Sequence, residues 1–290
     1  MPISSIILNE NNLNPVPNTF DASFNKGPYS KLYLPITNGS KLKDCQIALQ
    51  KINMYYGFPN IDSTNFQAAT IDWLVGGSYV SFQWNLTQNY NYASISQLND
   101  ALQQFCIQNG LYLINGSTNV YYLQLVANPN SYGVDLTLFK VPTSLGSFTQ
   151  PANFAGYPTV SSTPRITFKS SFNKIIGYNA GSVFNGGTNQ ISYTSQFCPQ
   201  LSPVSSILVS CNIAFNPLAM NGSSSVMTVF TTKDTQYGST ITVEPQELVW
   251  YDINSSASSQ LIVELFDQDY KPLNQLDPQT TIQLLIRPKI

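Results

Sequence analysis

The chain has 290 residues, a formal net charge of −2, no histidine and only 10% charged side chains, against about a quarter in an average soluble domain. Such a length supports a large core, and all-β sandwiches of this size can form one domain. The near-neutral balance argues against tight duplex binding, which needs a clustered basic face, and no direct nucleic-acid binding is expected. The densest basic cluster is only Lys41, Lys43 and Lys51. Asn, Ser, Gln, Thr and Tyr stand where charges usually do. That surface hydrogen-bonds without repelling its neighbours, which suits a subunit packed among many copies and also an ordinary secreted β protein.

The opening Met1-Pro-Ile-Ser-Ser-Ile-Ile-Leu8 has no basic region and no long apolar stretch. No segment approaches roughly eighteen apolar residues, so neither a signal peptide nor a membrane span is expected, and synthesis in a cytosol follows. Cys45, Cys106, Cys198 and Cys211 show no C-x-x-C spacing. They are expected to stay reduced, most of them as small buried apolar residues. Sequons occur at Asn38, Asn85, Asn115, Asn221 and Asn254; without a secretory route they read as chance products of the composition.

Residues 1–26 are rich in Asn and Pro, and Pro15 and Pro17 exclude helix and break ladders. They read as an extended arm, either a disordered terminus or a tether. Strands are predicted from Tyr29 onward. Lys31-Leu-Tyr-Leu-Pro-Ile36 carries a proline and should be an edge piece. Residues 42–56 place Cys45, Ile47, Leu49, Ile52, Met54 and Tyr56 at a spacing of two, with a slip near Lys51 that predicts a bulge. Trp73-Leu-Val75 and Tyr79-Val-Ser-Phe-Gln-Trp84 flank Gly76-Gly77, a hairpin turn or bulge.

One helix is predicted over about residues 94–108. Ser94-Ile-Ser-Gln97 is a capping box, Ile95, Leu98, Ala101, Leu102 and Phe105 form an apolar stripe, and Gly110 closes the end. Strands resume at Leu111-Tyr-Leu-Ile114, Tyr121-Tyr-Leu-Gln-Leu-Val126 and residues 134–141. Residues 142–164 and 178–200 read as long loops, separated by a strand at Arg165-Ile-Thr-Phe168 and a short helix ending at Gly177, capped by Ser170 or Ser171. The chain closes on Gln260-Leu-Ile-Val-Glu-Leu-Phe266 and Thr281-Ile-Gln-Leu-Leu-Ile286, a partly alternating strand pair whose last member is expected inside a sheet.

Little in this sequence looks catalytic. The commonest general base is absent, and no nucleophile elbow, Walker loop or dinucleotide fingerprint occurs. Glu244 and Glu247 are three apart, but Pro245 between them argues for a turn; a glycosidase pair assembled from distant carboxylates stays open. Asp267, Asp269, Asn274 and Asp277 offer alternating oxygen ligands of the kind calcium prefers. The turn-permitting glycine and terminal glutamate of a calcium loop are missing, so the competing reading is that these side chains cap their own backbone. Tyr55, Tyr56, Tyr90, Tyr92, Tyr112, Tyr121 and Tyr122 read first as strand faces and core edge, and second as rings for stacking on sugars or anchoring an interface. No catalytic, cofactor-binding or metal-binding residue is assigned, and no cofactor is expected.

Four segments carry a family resemblance: residues 92–102; Arg165-Ile-Thr-Phe-Lys-Ser-Ser-Phe-Asn-Lys-Ile-Ile-Gly177; Leu201-Ser-Pro-Val-Ser-Ser-Ile-Leu-Val-Ser-Cys-Asn212; and the strands from Gln246 onward. In order and spacing the chain resembles the penton (minor capsid) proteins of virophages and Polinton-like viruses. The resemblance implies an all-β fold, a single jelly-roll β-sandwich over residues 27–290, with long loops or an inserted upper β domain and one short helix. It further implies a non-enzymatic homopentamer at icosahedral five-fold vertices, in the virion, ringed by a double jelly-roll major capsid protein. A receptor- or carbohydrate-binding head of a viral attachment protein is the alternative.

Overall fold

A computed structural model describes residues 4–8, 31–35, 42, 44–179, 181–202, 204–215, 226–232, 235, 237–253, 260–277 and 279–289. The chain divides into two compact units, residues 1–59 with 204–290, and residues 60–203. The first opens with β1 (Ser4–Leu8), β2 (Lys31–Pro35) and β3 (Cys45–Tyr55). The second runs through β4 (Gln67–Val75), β5 (Ser78–Asn85), α1 (Ile95–Gln108), β6 (Tyr112–Asn115), β7 (Thr118–Tyr121), β8 (Leu123–Asn128), β9 (Gly133–Leu138), β10 (Arg165–Phe168), α2 (Asn173–Ile176), β11 (Val183–Phe184) and β12 (Ile191–Thr194). The first then resumes with β13 (Ser206–Cys211), β14 (Ala214–Phe215), β15 (Val226–Thr231), β16 (Thr240–Val243), β17 (Tyr251–Ile253), β18 (Gln260–Phe266) and β19 (Thr281–Pro288). No described helix is long and apolar enough to cross a membrane.

The first unit has two sheets, ordered β1-β19-β3-β17-β14 and β15-β13-β18-β2, with β16 also on β3. β16 faces Ile52 to Tyr55 of β3 while β17 faces Gln46 and Ile47, so the two are pieces of one strand interrupted by residues 244–250. Counting them as one and setting aside the two-residue β14 leaves eight strands. Their orders are first-eighth-third-sixth and second-seventh-fourth-fifth, which is the jelly-roll arrangement. The second unit is carried entirely in the connection between the third and fourth of these strands.

Side-chain alternation explains the pairing. β18 buries Leu261, Val263 and Leu265 and turns the residues between them outward, as a strand with one apolar face should. β3 buries Ile47 and Leu49, then Ile52 and Met54. The change of parity falls where Leu49 faces Leu284 and Lys51 faces Gln283, leaving Gln50 as the extra residue of a bulge. These side chains form one cluster with Leu8, Leu32, Ile207, Val209, Ile282 and Leu284. Burying each fully is worth about 1.5–3 kcal/mol.

Two expectations change here. The terminal runs are not partners: β18 and β19 lie in different sheets, and β19 is clamped between β1 and β3. Residues 1–26 do not stand wholly apart as an arm. Ser4–Leu8 pairs with β19 from Ile286 to Ile282, and Leu8 is fully buried; residues 9–26 lie outside the described residues. β2 is an edge strand, as its proline demands.

The second unit is built on the sheets β11-β10-β4-β5 and β12-β9-β8, the hairpin β6-β7 and helix α1. Val75 pairs with Ser78, so Gly76-Gly77 is the whole turn of the β4-β5 hairpin. Ser94 accepts from the Gln97 backbone N–H (3.2 Å), and Gln97 reaches back to accept from Ala93 N–H (2.7 Å). Ile95, Leu98, Leu102 and Cys106 are the buried face of α1, with Ala101 and Phe105 at its margin. Asn99 accepts from Leu125 N–H (2.9 Å), tying α1 to β8. Gly110 ends the helix at φ +67°, where an added Cβ would lie 1.9 Å from the Asn153 carbonyl oxygen.

Buried Asn60 donates to the carbonyls of Tyr92 and Leu201 and accepts from Tyr92 N–H, all at 2.8–2.9 Å. It joins the start of the unit to its helix entry and its end. The core is aromatic, with Trp73, Trp84, Phe168, Phe172 and Tyr178 among its buried residues. Here too the predicted elements shift. The run 121–126 is divided between β7 and β8. The supposed loop 178–200 contains β11 and β12, and α2 has Phe172 at its N-cap with no side-chain bond, not Ser170 or Ser171. Gly177 does close α2, at φ 77°.

Candidate functional surfaces

The loop between β18 and β19 is stitched to itself. Asp267 Oδ1 accepts from the backbone N–H groups of Asp269 (2.8 Å) and Lys271 (2.9 Å), and Asp277 Oδ1 accepts from Gln279 N–H (2.8 Å). Leu273 and Gln275 are buried beneath it, and Gln275 donates to Thr280 Oγ1 (2.7 Å). The carboxylates of Asp267 and Asp277 therefore cap backbone in the manner of Asx turns. Asp267, Asp269, Asn274 and Asp277 are not drawn into one ligand set: among the described residues no group of three or more His, Cys, Asp or Glu side chains is placed to hold a metal ion.

Glu244 and Glu247 do not converge either. Glu244 follows β16 and pairs with Lys51 at 2.6 Å, while Glu247 is exposed. Lys41 and Lys43 lie outside the described residues, as do sequon residues Asn38, Asn221 and Asn254; Asn85 and Asn115 are exposed. All four cysteines are free thiols. Burial pushes Cys106 up to about 12 and Cys211 up to about 11, so neither is a nucleophile near neutral pH. Cys45 is half-buried and Cys198 exposed, so only two of the four are core residues.

Across β17, β3 and β19 the structure assembles a polar strip that the sequence did not announce. Gln46 donates to Asp252 (3.0 Å) and accepts from Arg287 Nε and Nη2 (3.0 and 2.9 Å). Lys289 pairs with Asp252 at 2.6 Å. The Arg287 guanidinium lies 4.0 Å above the Trp250 ring. The Lys289 hydrogen bond, helped by Gln46, holds the Asp252 carboxyl below its usual range. Gln46 and Arg287 are 241 residues apart in sequence, so no local pattern pointed to the strip.

Among described residues of the jelly-roll unit, exposed apolar side chains include Ile7, Phe215, Val229, Leu248 and Val249. Phe215 is on β14, the outermost strand of its sheet. Val229 is on β15, an edge of the other. Leu248 and Val249 belong to the segment that interrupts the sixth strand. These positions mark strand edges available to a neighbour.

The second unit has its own concavity, of about 610 Å³, lined by side chains from α1, β7, β8 and the segments after β9. Tyr121, Phe139 and Phe148 provide its aromatic walls, and Gln103, Gln124 and Lys140 its polar groups. Two of the tyrosines singled out in the sequence are here: Tyr121 is half-exposed, whereas Tyr122 is buried and packs edge-on against Trp73 at 5.7 Å. Burial pushes the Tyr122 hydroxyl up to about 12. Tyr56 and Tyr92 are buried, and Tyr90 is exposed beside Tyr92 at 4.8 Å.

Fold and surfaces together define a jelly-roll protein with a large unit inserted between its third and fourth strands, presenting edges and a pocket and no assembled catalytic group among the described residues. Among solved structures, the chain is similar to the crystal structure of SeMet-labelled mavirus penton protein. The alignment covers 99% of this chain and 98% of that one, at 13% sequence identity and a TM-score of 0.43. A likeness of that size does not assign the chain to a family. No family model matches the sequence, and no curated protein matches it.

Proposed function

We propose that this chain is a capsid protein of an icosahedral virus, and specifically the penton subunit: a homopentamer that closes the five-fold vertices and contacts a double jelly-roll major capsid protein. The observation that carries the reading is the jelly-roll strand order with residues 60–203 carried in the connection between its third and fourth strands. The order and spacing of the four family-like segments support it. So does the low charge, which lets copies crowd without repulsion.

A five-fold ring is built from heterologous contacts, in which one face of each subunit complements a different face of the next. The edge bearing Phe215, Leu248 and Val249 is one such face, and the β15 edge bearing Val229 is the other. The role is structural and not enzymatic: Glu244 is committed to Lys51, and Asp267 and Asp277 to backbone. Its place is the virion vertex.

Native mass spectrometry of the purified chain over a concentration series tests the assembly. Pentamers appearing at high concentration, and lost in Val249→Asp, are expected. Stable trimers would replace the penton reading with an attachment head.

A further inference from the structure

We infer that the concavity of the second unit is a saccharide-binding site, a function separate from capsid closure and not resting on it. Its volume of about 610 Å³ is within the range of small-molecule sites, about 300–1,000 Å³, and has room for more than one sugar ring. Four aromatic residues line it: Tyr121 at the end of β7, Tyr122 just after it, Phe139 just after β9 and Phe148 in the loop beyond. They are held in place. Tyr121 packs on Tyr112 with ring centres 6.1 Å apart, Phe139 N–H donates to the Tyr122 carbonyl (2.9 Å), and Phe148 N–H donates to the Leu145 carbonyl (2.9 Å).

The polar groups select the ligand class. Gln103 of α1 and Gln124 of β8 are half-buried in the wall, and neither side-chain amide has a hydrogen-bond partner among the described residues. Each amide offers two donors and an acceptor. A wholly apolar ligand such as an acyl chain would strip water from both amides and return nothing, so it is disfavoured. A pyranose meets both requirements at once. Its C–H face stacks on the aromatic rings while its hydroxyls donate to and accept from the two amides. Among the described residues no carboxylate lines the concavity, and Lys140, which is exposed, is the one charged residue in its lining. A cationic ligand is therefore disfavoured, and a saccharide carrying a carboxylate gains an ion pair that a neutral one lacks.

The test uses the full chain on an array of neutral and carboxylate-bearing saccharides, with the strongest hit then titrated in solution by NMR. Saturable binding is expected, weakened tenfold or more in the double variant Gln103→Ala, Gln124→Ala. Lys140→Ala should weaken carboxylate-bearing saccharides and leave neutral ones unchanged. Should the double variant fail to fold, Gln103→Glu on the partly exposed flank of α1 is expected to show the same loss. Retention of no saccharide on the array overturns the inference. So does binding unaltered by these substitutions, or capture of a fatty acid in preference to every saccharide.

Discussion

Leu8 decides whether the N-terminal segment is part of the sandwich. It is fully buried, faces Ile282 across the ladder and belongs to the jelly-roll core. Leu8→Ala removes buried methyl groups and leaves a cavity, a change that costs about 2–5 kcal/mol in well-packed cores. β1 is an edge strand, free to relax inward, so about 3 kcal/mol is expected. At roughly 2–4 °C per kcal/mol for a unit of this size, Tm falls by about 6–12 °C. Ile7 supplies the control: it is 58% exposed on the opposite face of the same strand. Ile7→Ala should shift Tm by less than about 2 °C, as surface substitutions usually stay within about 0.5 kcal/mol. Differential scanning calorimetry measures both. A shift below about 1 °C for Leu8→Ala, or equal shifts for the two variants, refutes the claim that β1 closes the sheet and restores the picture of a free arm.

Tyr178→Phe should destabilise the second unit by about 1–3 kcal/mol, because the Tyr178 hydroxyl accepts from Leu136 N–H (3.1 Å) and lies within donating distance of the Val134 and Tyr193 carbonyls (2.8 and 2.7 Å), contacts that phenylalanine cannot make; urea denaturation reads it. With no histidine in the chain, stability should be nearly flat from about pH 5 to 8. Cys106 and Cys211 rise from 9.0 to about 12 and about 11 on folding, and Tyr122 from 10.0 to about 12. The folded state therefore holds protons that the unfolded state releases, and stability should fall as pH rises above about 9; melting curves across pH 7–11 check this. Calcium or a chelator should move Tm by less than about 1 °C, since Asp267 and Asp277 already bond backbone; a rise of several degrees with calcium would mean that the loop rearranges to bind it.

How much of this was legible in the sequence depended on distance along the chain. Helix α1 was readable because its cap and apolar face lie within a few turns of one another, and the β3 bulge because a change of parity is a local signal. β1 was missed because its ladder joins Ser5 to Leu285, and a five-residue strand beside an Asn- and Pro-rich stretch carries no alternation long enough to show. β11 and β12 were read as loop for a related reason: strands of two and four residues owe their existence to β10 and β9 beside them. The pairing of β18 with β19 was assumed from adjacency, whereas the seventh and eighth strands of this jelly roll lie in different sheets. The saccharide pocket was invisible because Gln103, Gln124 and Phe148 come from three separate elements. Its rings were legible only as an abundance of tyrosine and phenylalanine.

The central claim is the place of this chain in a particle, and an icosahedral cryo-EM reconstruction of the intact virion measures it directly. The account predicts density for the jelly-roll unit in five copies around each five-fold axis, with neighbours meeting through the Phe215–Val249 edge. Density for the chain away from the vertices, or as a trimer projecting from the shell, would contradict it.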